Sequence, residues 1–145
     1  TLPRELVDVA KGFKEYLSVI PESKIAMEVG VSAMHDVTEG GVFGALWELG
    51  EASGVGITAH LDKIPIKQET IEVCEVFKIN PYMLISSGSM MIGCEKGNLL
   101  VEKLEEAGIN AAVIGRATEG NDRIVVSRDE TRYIGPAGSD ELYKI

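Results

Sequence analysis

The sequence predicts an α+β domain, and three observations predict it. A chain of 145 residues is long enough for one core, burying roughly 70% of its unfolded surface. Apolar residues recur at helical spacing in some stretches and alternate in others, and the two patterns interleave along the chain. Glycine and proline stand between the patterns, so the segments are short and the connections abrupt. About five helices and about four to six strands result, an order that suits a layered mixed sheet with helices packed on it. No repeat, low-complexity tract or linker divides residues 1–145, which read as one domain.

Over 2–17, Leu6, Val9, Ala10, Phe13 and Leu17 share one face. Pro3 fits the first turn, and Glu5, Lys11, Lys14 and Glu15 take the other face, which predicts an amphipathic helix ending before Pro21. A second helix is predicted over 22–29 with Gly30 as its C-cap, and 31–35 reads as extended. The third helix turns Leu46, Leu49 and Ala52 inward and Glu48 and Glu51 outward, and Gly54 ends it. Residues 56–61 alternate as a strand before Pro65 breaks the chain. A helix over 68–77 then puts Ile71, Cys74 and Phe77 on one face, which makes Cys74 a small buried hydrophobe rather than a reactive thiol. After Asn80-Pro81 come a short apolar piece at 82–85 and a strand at 89–94. The helix over 97–107 buries Leu100, Val101 and Leu104 and stops at Gly108. Strands are expected at 109–117 and 122–127, with an edge strand at 131–134. Beyond the breaker Gly135-Pro136-Ala137-Gly138, Ser139-Asp140-Glu141 caps a short terminal helix. The strand–helix–strand–strand order over 88–126 matches part of a ferredoxin-like split βαβ unit.

A formal net charge of −9 argues against a nucleic-acid or anionic-membrane surface. No apolar run approaches the ~20 residues that span a bilayer, and no signal peptide opens the chain. Cys74 and Cys94 form neither a disulfide framework nor a Cys-x-x-Cys pair, so a reducing cytoplasm is the expected compartment. The chain starts at Thr1, already in a helical pattern, as expected of a piece of something longer. Only His35 and His60 could begin a histidine metal site, and His60 has no matching ligand pattern; no metal site is expected. There is no P-loop and no nucleophile elbow, and Glu102, Glu105 and Glu106 lie on a solvated helix face.

One stretch concentrates the chemistry: Met34-His35-Asp36-Val37-Thr38-Glu39-Gly40-Gly41-Val42-Phe43-Gly44. Asp36 and Glu39 have the spacing of a capping box. Gly40 and Gly41 leave first-turn N–H groups uncovered, and a helix start of that kind is an anion site through its orphan donors and positive dipole end. A well-capped helix with glycines for close packing explains the same residues, and spacing alone leaves both open. Ser86-Ser87-Gly88 is a second candidate, since hydroxyls and a glycine amide can hold a phosphate or an amide oxygen; it is equally an ordinary polar turn.

Residues 34–42, followed by Leu46-Trp47-Glu48-Leu49-Gly50-Glu51-Ala52-Ser53-Gly54-Val55-Gly56, resemble the C-terminal domain of the AIR synthase (PurM) superfamily. Its HypE branch and the HypE-like AIR synthase-related proteins are the most similar. The shared pattern is Asp-x-Thr-x-Gly-Gly and then a helix ending Glu-Ala-Ser-Gly-Val-Gly; Ile64-Pro65-Ile66, Ser86-Ser87-Gly88 and Ile114-Gly115 follow in the same order. The resemblance implies a PurM C-terminal domain-like fold with partly ferredoxin-like topology. It also implies a parent protein, a homodimer, whose N-terminal domain carries most of the ATP and Mg²⁺ ligands and is absent here. That parent would use ATP to phosphorylate an amide or acyl oxygen of a small-molecule or carbamoyl substrate, in hydrogenase maturation for HypE itself. The isolated domain is expected to be inactive. Asp36, Thr38, Gly40 and Gly41 would line the nucleotide or substrate phosphate site, with His35, Glu39, Ser86, Ser87 and Gly88 as adjuncts, while catalytic residues stay unassigned. A non-catalytic ligand-binding or interaction module is the alternative. The family pattern has Arg where this chain has Glu39, and Asn-Glu-Gly where it has Ser86-Ser87-Gly88. HypE carries its substrate on a terminal cysteine, whereas Leu142-Tyr143-Lys144-Ile145 ends this chain, so its self-carried reaction is not expected in that form.

Overall fold

The computed structural model describes residues 2–145. Among the described residues five α-helices, α1 (Arg4–Gly12), α2 (Ile20–Val29), α3 (Gly41–Ser53), α4 (Gln68–Phe77) and α5 (Gly97–Glu106), pack with six strands. These are β1 (Ala33–Asp36), β2 (Gly56–His60), β3 (Met90–Gly93), β4 (Gly115–Thr118), β5 (Arg123–Ser127) and β6 (Glu130–Tyr133). The mixed α+β class read from the sequence is the one the chain adopts. β1 and β3 form an antiparallel pair, and the remaining strands form a mixed sheet in the order β4-β2-β5-β6. In that sheet β2 runs parallel to β5, with Ile57 opposite Arg123 and Ala59 opposite Val125. The other pairings are antiparallel.

The core has two centres. Phe43 and Leu46 of α3 pack on Ile57 and Ala59 of β2 and Val125 of β5. Burying a side chain such as Phe43 or Leu46 contributes roughly 1.5–3 kcal/mol, and this is what seats α3 on the large sheet. The second centre joins Ala26 of α2 to Leu100 and Leu104 of α5. At the far end of α3, Gly54 adopts the left-handed conformation (φ 65°) and closes the helix. There the Arg123 guanidinium pairs with Glu51 at 3.0 Å and lies over Trp47, a cation set where the helix dipole is negative. The bare Cα of Gly50 makes the room, since a Cβ there would sit 2.6 Å from Arg123 Nε.

Several boundaries differ from the sequence reading. The first helix ends at Gly12 and tightens into a 3₁₀ turn over Phe13–Tyr16, where both rings lie under the Lys67 ammonium. Pro21 falls inside the first turn of α2 rather than ahead of it. The expected strand over 109–117 shortens to Gly115–Thr118. Ile109 and Ala111 pack on the α2/α5 centre and Ile114 on the α3 centre, so this stretch crosses between the two centres before it can pair. The unit read over 88–126 therefore spans two sheets, α5 linking β3 of one to β4 of the other. Among the described residues no helix is long and apolar enough to cross a membrane.

Candidate functional site

β1 carries the chain to the start of α3. Asp36 is its last residue, still paired with Met90 of β3, and its side chain is exposed. Val37 is buried at 2% exposure, and its N–H donates to the Ser89 carbonyl at 2.9 Å. Thr38 and Glu39 follow at the surface. Gly40 (φ 80°) and Gly41 (φ 62°) are both left-handed, a succession that only glycine adopts cheaply.

The capping box expected from Asp36 and Glu39 does not form. The N-cap is Gly40, and no side chain caps the helix. Asp36 is held in the strand four residues too early, and the Glu39 carboxylate instead accepts from the Tyr143 hydroxyl at 3.1 Å. The Gly41 N–H donates to the Thr38 carbonyl and the Gly44 N–H to that of Gly40. Among the described residues nothing accepts from the N–H groups of Val42 and Phe43, the two orphan donors of a bare helix start.

Both glycines answer to close packing as well. A Cβ on Gly41 would lie 2.6 Å from the carbonyl oxygens of Tyr82 and Leu84, and one on Gly40 would lie 2.8 Å from the Ala137 Cβ. Of the well-capped helix with glycines for close packing, the close packing is present and the side-chain cap is not.

The Val37–Ser89 hydrogen bond brings the second candidate turn beside the first. Within it the Ser86 hydroxyl donates to the Leu84 carbonyl at 2.8 Å, Ser87 is exposed, and Gly88 (φ 96°) lies where a Cβ would strike the Tyr16 carbonyl. His35 faces elsewhere. Its Nε2 is 3.0 Å from Glu48 Oε2, and its Nδ1 faces the Asp36 carbonyl, which puts the ring about two turns along α3 from the glycines. Cys74 is buried at 1% exposure, and burial, then the nearby Glu141 charge, push its thiol pKa up, as suits an inert core residue.

Sequence reasoning found the C-terminal cap but missed its contact with the glycine turn. Asp140 does cap its own short helix, accepting from the Leu142 N–H at 2.8 Å. Its second oxygen, Oδ2, accepts from the Gly40 N–H at 2.7 Å, one hundred residues away in sequence. Glu141 accepts from the Asn80 N–H at 3.2 Å and from the Lys144 ammonium. Both carboxylates are buried, at 3% and 4% exposure. The hydrogen bond from Lys144, with that from the Asn80 N–H behind it, holds the Glu141 carboxyl below its ordinary range against the opposing effect of burial. Two adjacent acidic residues before an apolar pair were the only sequence signal, and nothing in it points to Gly40. A cleft of about 110 Å³ runs beside this contact, lined by Gly40, Phe43, Gly44, Met83, Arg132 and the 133–139 segment. Among the described residues no cluster of three or more His, Cys, Asp and Glu side chains could hold a metal ion.

A protein of Methanocaldococcus jannaschii named for hydrogenase expression/formation is 33% identical over 134 residues, 86% of this chain and 39% of that protein. Carbamoyl dehydratase HypE of Rhodobacter capsulatus is 28% identical over 97 residues, 64% of this chain and 28% of that protein. A solved hydrogenase maturation protein HypE in complex with ATP superposes with a TM-score of 0.72 at 18% identity, over 84% of this chain and 40% of that one. The chain therefore spans about two fifths or less of these relatives. The family described as AIR synthase related protein, C-terminal domain, matches residues 2–127, and the chain belongs to it.

Proposed function

We propose that this chain is the C-terminal domain of a HypE-type, ATP-dependent enzyme that activates an amide or carbamoyl oxygen by phosphorylation, in hydrogenase maturation. The observation that carries the reading is the start of α3: a glycine turn with free N–H groups on Val42 and Phe43, in a family whose relatives include a carbamoyl dehydratase and an ATP-bound HypE. Such donors are preorganised for negative charge that develops on a phosphoryl group or an activated oxygen. In this reading Asp36, Thr38, Gly40 and Gly41 line the phosphate side of the site. An N-terminal domain of the full-length protein supplies most ATP and Mg²⁺ ligands. When bound, ATP provides the phosphoryl group that turns the oxygen into a leaving group; this chain orients the acceptor side and excludes water from it.

One observation favours a second reading. The Glu39 carboxylate stands in the turn and the Asp140 carboxylate already holds its Gly40 N–H, as suits a binding module for a less anionic ligand. Calorimetry of the full-length protein with Mg²⁺ and a non-hydrolysable ATP analogue separates the two. Asp36→Ala and Thr38→Ala should each weaken binding roughly tenfold, the loss of one charge-assisted or neutral hydrogen bond at the site, with unchanged melting. Unchanged affinity in both variants rejects the phosphate assignment.

A further inference from the structure

The C-terminal segment touches both walls of the glycine turn. One wall is Gly40 itself, whose N–H is held by Asp140 at 2.7 Å. The other is the 80–84 segment, whose Tyr82 and Leu84 carbonyls press on the bare Cα of Gly41. That segment begins at Asn80, whose N–H is held by Glu141 at 3.2 Å. Adjacent carboxylates thus bind the backbone on opposite sides of one turn. Ala137 adds a third point, seated where Gly40 and Gly44 leave no Cβ. Around these anchors the segment is exposed: Leu142 is 47% accessible, Tyr143 67% and Ile145 61%. An acidic pair buried in an otherwise exposed tail, with each carboxylate on a backbone donor, is costly unless the partners are met in full.

We propose that Asp140 and Glu141 are positioning residues, a two-carboxylate clamp through which the C-terminal segment sets the backbone geometry of the Gly40–Gly41 turn. The clamp rests on the phosphate reading only for its functional consequence. It acts by fixing the spacing between the 80–84 carbonyls and the first turn of α3, and so the direction of the free Val42 and Phe43 N–H groups. Neither carboxylate is assigned contact with substrate.

Amide hydrogen exchange of this chain tests the clamp without any ligand. Glu141→Ala should speed exchange at Gly40, which Glu141 does not touch, as well as at Asn80. Asp140→Ala should likewise speed both, each on the order of tenfold or more for a lost charge-assisted bond. If each variant affects only its own partner, the pair is two independent contacts and the clamp is refuted. Where Asp140→Ala does not fold, Asp140→Asn keeps one acceptor and reads the same coupling. In the full-length protein both alanine variants should weaken binding of a non-hydrolysable ATP analogue about tenfold, with Asp140→Asn recovering part of it. Unchanged affinity beside accelerated exchange refutes the positioning role, and a gain in affinity refutes it too by making Asp140 a competitor of the ligand. Absence of binding in the unsubstituted protein rejects the phosphate reading, while exchange still decides the clamp.

Discussion

Gly41→Ala separates close approach from backbone conformation. The new Cβ would lie 2.6 Å from two carbonyl oxygens and 2.9 Å from the Leu84 nitrogen. All three atoms are backbone, so no change of rotamer relieves them. The left-handed φ of 62° costs an L-residue about 1–2 kcal/mol, and forcing a methyl into a filled space costs about 1–3 kcal/mol more. The sum, about 2–5 kcal/mol, is a large part of a stability of about 5–15 kcal/mol. Gly54→Ala is the control: its φ is 65°, but nothing lies within 4 Å of its Cβ position, so only the conformational cost of about 1–2 kcal/mol applies. Urea denaturation with linear extrapolation measures both. If the two variants lose equal stability within about 0.5 kcal/mol, near the error of such extrapolation, the 80–84 backbone does not press on Gly41 and the walls of the site are misplaced.

Two further outcomes follow from the same geometry. Glu141 is held below its ordinary pKa near 4.5, so its contribution to stability is complete above that value and is lost as pH falls through the lower folded pKa. The C-terminal segment should therefore stay docked in mild acid and undock only below the ordinary carboxylate range; Lys144 and the Asn80 N–H favour the charged form, Asp140 opposes it, and Glu141→Gln should abolish this acid step in the Leu142 and Tyr143 amide signals. Gly88→Ala would drive a Cβ into the Tyr16 carbonyl at φ 96°, and should free the 13–17 segment from the Ser86–Ser89 turn, read as faster proteolysis there.

The elements that local chemistry decides were legible. α4 occupies the predicted 68–77 span because its apolar face and the breaks around it agree, and α3 ends at the predicted Gly54 for the same reason. The motif at 34–44 was legible as a helix start with bare donors, but its register was not. Asp36 and Glu39 have capping spacing, yet Asp36 belongs to the β1–β3 pair, and strand pairing across more than fifty residues leaves no mark in the local pattern. The same holds for residues 109–114, whose apolar side chains serve two packing centres rather than one sheet face. The contact of Asp140 with Gly40 was the least legible feature: a buried hydrogen bond between chain segments one hundred residues apart depends on how the tail folds back, which no periodicity records.

The central claim is that the start of α3 faces phosphate. Backbone amide NMR of the full-length protein, titrated with Mg²⁺ and a non-hydrolysable ATP analogue, tests it most directly. Saturable shifts at the Val42 and Phe43 amides, with Gly54 and Val55 at the other end of the helix unmoved, are the predicted result. Saturation of the nucleotide site with the Val42 and Phe43 amides unshifted would contradict it.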